Sequence, residues 1–125
     1  MNAKPLVLVT DDDEDIRMLC GVQLEIAGFR VMHACNGQEA IDRSRAERPD
    51  LILLDLMMPV KDGWECLAEL KQDRALRDVP VFIITGKNQQ SDQQRAFALG
   101  AEAFIPKPFQ GAALIARIRE RVAAA

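Results

Sequence analysis

Bulky apolar residues form short unbroken runs in this sequence, and each run is followed by a stretch in which apolar residues recur at helical spacing. The runs at residues 6–9, 51–54 and 81–84 consist mainly of Val, Ile and Leu. Such runs, bounded by turn residues, predict strands that are buried on both faces of a parallel sheet. The runs at residues 29–34 and 103–105 are weaker, and Pro106 follows the second of them, so both predict edge strands.

Helical spacing predicts five helices, over residues 16–27, 38–47, 64–71, 93–99 and 111–122. Gly28 and Gly100 provide C-terminal stops, and Asn36-Gly37 predicts a turn before the second helix. Five alternations of strand and helix predict an α/β fold with helices on both faces of a parallel sheet. With the weaker strands at the edges, the strand order is 2-1-3-4-5. This flavodoxin-like, doubly wound arrangement has its switch point between the first and third strands.

Length and composition narrow the class of protein. The chain has 125 residues, of which 49% are hydrophobic and 28% charged, so we expect a single domain over residues 1–125 without an output domain. A net charge of −3 argues against a broad surface for nucleic acid or anionic membranes. We find neither a membrane span nor a signal peptide in the sequence and expect a cytoplasmic protein. Cys20, Cys35 and Cys66 lack CxxC spacing, so we expect buried, reduced thiols.

Acidic residues follow the first and third predicted strands. Asp11 and Asp12 end the first, and Asp55 ends the third. Adjacent parallel strands bring their carboxyl ends to one crevice, where three carboxylates would repel one another unless a cation lay among them. Mg²⁺ prefers such oxygen ligands together with water and phosphate oxygens, so the pattern predicts a magnesium site. Helix capping is the alternative for this acidic segment, and we expect it to account for residues 13–15.

Two further polar residues end the fourth and fifth predicted strands. Thr85 would bring a hydroxyl, and Lys107 an ammonium, to the same crevice as Asp55. Phosphoryl transfer depends on positioning and charge neutralisation, which a metal, a lysine and a hydroxyl together provide. Taken singly, Thr85 also suits a strand end as a β-branched residue, and Lys107 also suits a solvated sheet edge.

Four motifs occur in order at these strand ends: VTDDDEDIR, LILLDLMMPVKDG, VFIITG and FIPKPF. Together they resemble the receiver domains of two-component response regulators, and the resemblance extends from Pro5 to Val122. It implies that Asp55 accepts a phosphoryl group from a sensor histidine kinase or a histidine phosphotransfer protein. It also implies that Mg²⁺ is held by Asp11, Asp12, Asp55 and the backbone carbonyl of Met57. In this interpretation Asp12 coordinates the ion directly and Asp11 acts partly through water.

The resemblance further implies a switching mechanism. Thr85 and Lys107 would contact the phosphoryl oxygens, and the Lys107–Pro108 bond is expected to be cis. On phosphorylation Thr85 would move toward the phosphate and Phe104 would turn inward, although plain core packing also explains an aromatic residue at position 104. The face made by the fourth helix, fifth strand and fifth helix would then change its contacts with a downstream protein partner. We expect no direct contact with nucleic acid or membrane, and either a monomer or a phosphorylation-dependent dimer.

Three other classes of function fit this sequence less well. An unphosphorylated pseudo-receiver scaffold would not need the full set of acidic, hydroxyl and lysine residues. A Mg²⁺-dependent aspartyl phosphohydrolase generally carries an acid/base aspartate two residues after its nucleophile, and Met57 occupies that position. A dinucleotide or flavin binder would need a Gly-rich or hydroxyl-rich loop after the first strand. We therefore expect autocatalytic phosphorylation and dephosphorylation only, in a stand-alone receiver or in one cut from a longer protein.

Two departures from the family pattern, and two residues that flank the approach to Asp55, surround the predicted site. Thr10 replaces an apolar residue and Gly86 a more common alanine, while Met57 and Lys87 flank the approach to Asp55. Methionine cannot orient an attacking water by hydrogen bonding, so the sequence predicts a long-lived phospho-aspartate.

Overall fold

A parallel sheet of five strands forms the centre of the molecule. The computed structural model describes residues 4–86 and 89–123. Its strands are β1 (Leu6–Thr10), β2 (Arg30–Ala34), β3 (Leu51–Leu54), β4 (Val81–Thr85) and β5 (Ala103–Pro106). The helices are α1 (Glu14–Ile26), α2 (Gly37–Ala46), α3 (Gly63–Gln72), α4 (Gln90–Ala98) and α5 (Gly111–Ala123). The strand order is β2-β1-β3-β4-β5, so the predicted α/β topology is confirmed.

Both faces of the sheet are buried, as the unbroken apolar runs predicted. Alternate residues of each strand point to opposite faces. On one face Leu8, Leu54 and Ile83 belong to the core that α2, α3 and α4 cover. On the other, Val9 and Phe82 pack with residues of α1 and α5. The strands predicted to be buried on both faces, β1, β3 and β4, are therefore the central strands of the sheet.

Four helices begin earlier than their apolar periodicity indicated: α1 by two residues, α2 and α3 by one, and α4 by three. Asn36 is the N-cap of α2, and its side chain accepts a hydrogen bond from the Glu39 amide at 2.9 Å. Asn36 thus lies in the bend before the helix, whereas the prediction that Gly37 also lies in a turn was wrong, because Gly37 is already the first residue of the helix. Helix α4 begins at Gln90, not at 93, since Asp92 accepts from the Gln89 amide and caps a polar first turn. At α1, the predicted capping role of Asp13 is confirmed, because its Oδ1 accepts hydrogen bonds from the amides of Asp15 and Ile16.

The cysteines lie apart and are all free thiols. Cys20 and Cys66 are buried, and burial raises the pKa of Cys20 to about 11 and that of Cys66 to about 12. Cys35 is only half-buried, with its Sγ 3.5 Å from Glu39, so the prediction that it is buried was wrong. Within the described part of the chain, no helix is both long enough and apolar enough to cross a bilayer.

Candidate functional site

The acidic residues predicted from the strand ends lie together in the structure. The backbone places two of them: the Asp55 amide donates to the carbonyl of Thr10, and the Asp11 amide donates to that of Ala34, both at 3.1 Å. Asp11, Asp12 and Asp55 can each place a carboxylate oxygen within 4.8 Å of the others. Asp11 and Asp55 are buried, whereas Asp12 is exposed. The cluster therefore opens to solvent on the side of Asp12.

Lys107 joins the two buried carboxylates. Its Nζ lies 2.7 Å from Oδ2 of Asp11 and 2.8 Å from Oδ2 of Asp55. Burial raises the pKa of Asp11 above its ordinary value, although the hydrogen bond from Lys107 acts in the opposite direction. Burial also lowers the pKa of Lys107, but hydrogen bonds from its ammonium to Asp11 and Asp55 outweigh this effect and leave that pKa raised. The lysine is thus held as a cation between the two acids.

Backbone amides orient the other oxygen of each carboxylate. The Asp13 amide donates to Oδ1 of Asp11 at 2.9 Å, and the Met57 amide donates to Oδ1 of Asp55 at 3.1 Å. With Oδ1 bound to an amide and Oδ2 bound to Lys107, neither carboxylate is free to rotate. The site is therefore preorganised by its own loops.

Thr85 and Phe104 occupy neighbouring strands beside this cluster. Thr85 is fully buried at the end of β4, and its carbonyl accepts from the Lys107 amide at 2.9 Å. Phe104 is half-buried against the core beneath α2, α3 and α4, and it pairs with Ile83 in the β4–β5 register. Strand alternation places Thr85 and Phe104 on the same face of the sheet. The predicted cis bond between Lys107 and Pro108 is present.

The Met57 side chain forms part of an apolar rim around the cluster. It is 62% exposed and borders an open groove of about 580 Å³, together with Asp12, Pro59 and Trp64. Lys87, which was also predicted to flank the approach to Asp55, lies outside the described residues.

Arg17 is a site residue that the sequence analysis missed. Its Nη1 donates to the backbone carbonyl of Asp11 at 2.8 Å and so fixes the β1–α1 loop from within the helix. A cation near a helix N-terminus is unfavourable for the helix dipole, so a basic residue there needs a local partner. A basic residue in this unfavourable position was the sequence signal by which Arg17 could have been identified.

The Thr10 hydroxyl is buried beside the cluster and has no hydrogen-bond partner among residues 4–86 and 89–123. A buried hydroxyl without a partner costs desolvation free energy. We expect Thr10→Val, which preserves the shape of the side chain, to raise the free energy of unfolding by about 1 kcal/mol, measured by urea denaturation. Ser44→Ala is a parallel case, because the Ser44 hydroxyl is also buried and unpartnered within the described chain. A loss of stability in Thr10→Val would show that the hydroxyl is satisfied in solution.

Comparison with known proteins agrees with this geometry. A family model described as "Response regulator receiver domain" matches residues 7–119. The chain is 40% identical over 116 residues to the probable transcriptional regulator ycf27 of Porphyridium aerugineum, covering 93% of this chain and 47% of the relative. It is 37% identical over 119 residues to the alkaline phosphatase synthesis transcriptional regulatory protein PhoP of Bacillus subtilis, covering 95% of this chain and 48% of the relative. The chain thus spans about half the length of the curated relatives it matches.

A similar fold occurs in solved structures. The chemotaxis protein CheY4 of Vibrio cholerae superposes with a TM-score of 0.89 at 29% sequence identity, covering 94% of this chain and 98% of that protein. The match of the family model, the identity to curated relatives and the shared fold all extend over nearly the whole chain. This chain belongs to the response regulator receiver domain family.

Proposed function

We propose that this chain is a phosphorylation-controlled switch in which Asp55 accepts a phosphoryl group from a phosphohistidine. The donor is a sensor histidine kinase or a histidine phosphotransfer protein. The observation that carries this proposal is the position of Lys107 Nζ, within 2.8 Å of the carboxylates of both Asp11 and Asp55. A cation held at the acceptor oxygen is available to neutralise charge on an incoming phosphoryl group.

The donor set of the crevice suits magnesium. Receiver domains generally bind Mg²⁺ at an acidic pocket. Here Asp11, Asp12 and Asp55 would hold the ion with the backbone carbonyl of Met57, and all of these donors are oxygens of the kind that Mg²⁺ prefers. The bound ion would supply positive charge to the carboxylates and to the phosphoryl oxygens.

Phosphoryl transfer then requires little of the protein beyond positioning. A carboxylate oxygen of Asp55 forms a bond to phosphorus while the phosphorus–nitrogen bond of the donor histidine breaks. The bonding electron pair stays on the imidazole nitrogen. The ammonium of Lys107 stays in contact with the phosphoryl oxygens during transfer, and the hydroxyl of Thr85 donates a hydrogen bond to one of them. The chain turns over no free substrate in this scheme, in keeping with the typically non-enzymatic signalling role of receiver domains.

The switch uses the shared face of β4 and β5. When Thr85 moves toward the phosphoryl group, it vacates space on the face where Phe104 is only half-buried, and Phe104 turns into that space. The surface of α4, β5 and α5 then changes its contacts with a downstream protein. Our expectation that the chain makes no direct contact with nucleic acid has no support, because the matched relatives are named as transcriptional regulators.

A surface for the donor protein lies beside Lys107. Helix α1 exposes four large apolar side chains: Met18, Leu19, Val22 and Ile26. A neighbouring groove of about 380 Å³ is lined by Leu19, Phe109 and Lys107 among others. Contiguous exposed apolar surface of this kind marks contact with another protein. A donor bound there would hold its phosphohistidine next to the acceptor crevice.

Intact mass spectrometry after incubation with acetyl phosphate tests the phosphoryl-accepting role. We expect a single phosphoryl adduct that requires Mg²⁺ and is absent from Asp55→Asn. The matched control is Asp78→Asn, which removes a carboxylate at the opposite end of the sheet and should leave the adduct intact. If the folded wild-type protein gains no adduct with or without Mg²⁺, the chain is an unphosphorylated scaffold instead.

Met57 is expected to lengthen the life of the phospho-aspartate. Its thioether lies at the rim of the site and is a poor hydrogen-bond partner for an attacking water. We expect Met57→Asn to accelerate the loss of the adduct several-fold in Mg²⁺ buffer, since an amide can orient that water. The control is Met57→Leu, which should decay like the wild type. Hydrolysis that is unchanged or slower in Met57→Asn would contradict this role.

A further inference from the structure

A cation–π contact connects α4 to the open groove beside the acidic cluster. The Arg95 guanidinium of α4 lies 4.1 Å from the ring centroid of Trp64 in α3. Trp64 is in the first turn of α3, is 9% exposed, and borders the same open groove as Asp12 and Met57. Arg95 of α4 thus contacts Trp64 of α3, a residue that borders the candidate site.

Helix α4, over residues 90–98, buries no large apolar side chain of its own. Its buried residues are Asp92 and Ala96. Phe97, its large apolar residue, is 48% exposed. Each of the other helices buries at least one leucine or isoleucine: Leu24, Ile41, Leu67 and Ile118 are examples. The stack of Arg95 on Trp64 therefore adds to the buried contacts of Asp92 and Ala96 in fixing the position of α4.

The chain between the site and this helix is short. Strand β4 ends at Thr85 and α4 begins at Gln90. Gly86, at the start of this connection, is exposed, and no described residue beyond its chain neighbours has an atom within 4 Å of the place where its Cβ would lie. Four residues therefore separate Thr85 from α4 along the chain. Asp92 and Ala96, which are buried, and Arg95, which stacks on Trp64, anchor α4 next to the site.

We propose that Arg95 is a positioning residue: its stack on Trp64 holds α4 in the arrangement of the unphosphorylated domain and opposes phosphorylation of Asp55. The inference rests on the proposed function. A contact made in only one of two arrangements biases the equilibrium toward it, and its loss favours the other arrangement by the same factor. For an exposed cation–π contact that factor is about two to five.

The test compares Arg95→Gln with a control of equal charge change. Arg117→Gln removes an exposed arginine that lies 5.8 Å from the Phe82 ring, on the opposite face of the sheet from Trp64. We expect Arg95→Gln to accelerate amide hydrogen exchange over residues 90–98 in the unphosphorylated protein. We also expect acetyl phosphate with Mg²⁺ to phosphorylate it about two- to fivefold faster than wild type. Arg95→Lys, which keeps the cation but not the planar group, should fall between, and Arg117→Gln should match the wild type.

The two measurements separate the possible failures. Unchanged exchange in α4 would overturn the proposal, because the stack would not be holding the helix. Faster exchange with an unchanged or slower phosphorylation rate would also overturn it, since α4 would be uncoupled from Asp55. If the wild type forms no adduct, the proposed function fails and the coupling with it, while the exchange comparison still decides whether Arg95 holds α4.

Discussion

Alanine in place of Gly63 is expected to destabilise the domain by about 3 kcal/mol or more and to lower its Tm by about 10 °C. Gly63 begins α3, and its amide donates to the Leu56 carbonyl at 2.9 Å. A Cβ at this position would lie 2.5 Å from the Cα of Leu56 and closer still to the carbonyl oxygen of Asp55. Both obstacles are backbone atoms of the loop that carries the acceptor, so relief of the clash must displace Asp55.

Urea and thermal unfolding of Gly63→Ala measure this effect, with Gly86→Ala as the control. Gly86 is exposed, and no heavy atom of residues 4–86 and 89–123 outside its chain neighbours lies within 4 Å of the position of its added Cβ. We expect Gly86→Ala to change the free energy of unfolding by less than about 1 kcal/mol. Gly63→Ala within 1 kcal/mol of the wild type would show that the loop after β3 adjusts easily, contrary to the rigidity inferred here.

The sheet order and the gathering of the strand-end residues were predictable because both follow from short-range pattern. Uninterrupted apolar runs identify the central strands, and parallel pairing then brings Asp11 and Asp55 to one crevice whatever the loops do. The position of Lys107 follows from the same logic, because this residue comes directly after β5, the edge strand that pairs with β4. The carboxyl ends of parallel strands thus define the position of the site before any side chain is placed.

Features that depend on loop geometry or on contacts between helices were not predictable. Val60 has a φ of +67°, a left-handed conformation that β-branched residues seldom adopt, and nothing in its sequence context indicated it. The close approach of Gly63 to Asp55 depends on how the β3–α3 loop folds back. The contact of Arg95 with Trp64 joins two helices whose relative placement is not encoded in the periodicity of either one. The early start of α4 was missed because its first turn is polar and is specified by capping.

Replacement of Lys107 by alanine is expected to have opposite effects on metal binding and on chemistry. The ammonium lies between the carboxylates of Asp11 and Asp55, where it competes electrostatically with a divalent ion. Its removal leaves two buried acids without their cation, so we expect Mg²⁺ to bind about tenfold more tightly. For the same reason, Mg²⁺ should raise the Tm of Lys107→Ala more than that of the wild type.

The rate of phosphorylation of the same variant should fall by about 100-fold or more, because a preorganised cation at the developing phosphoryl charge is lost. Calorimetric titration with Mg²⁺ and the rate of adduct formation from acetyl phosphate measure the two effects independently. Lys107→Arg is the control: it keeps the charge, so Mg²⁺ affinity should stay near the wild-type value while altered geometry lowers the rate. If Lys107→Ala binds Mg²⁺ no more tightly, the lysine does not compete with the metal. If it is phosphorylated at the wild-type rate, the lysine serves only to hold the two acids together, and the positive charge that assists transfer comes from the ion alone.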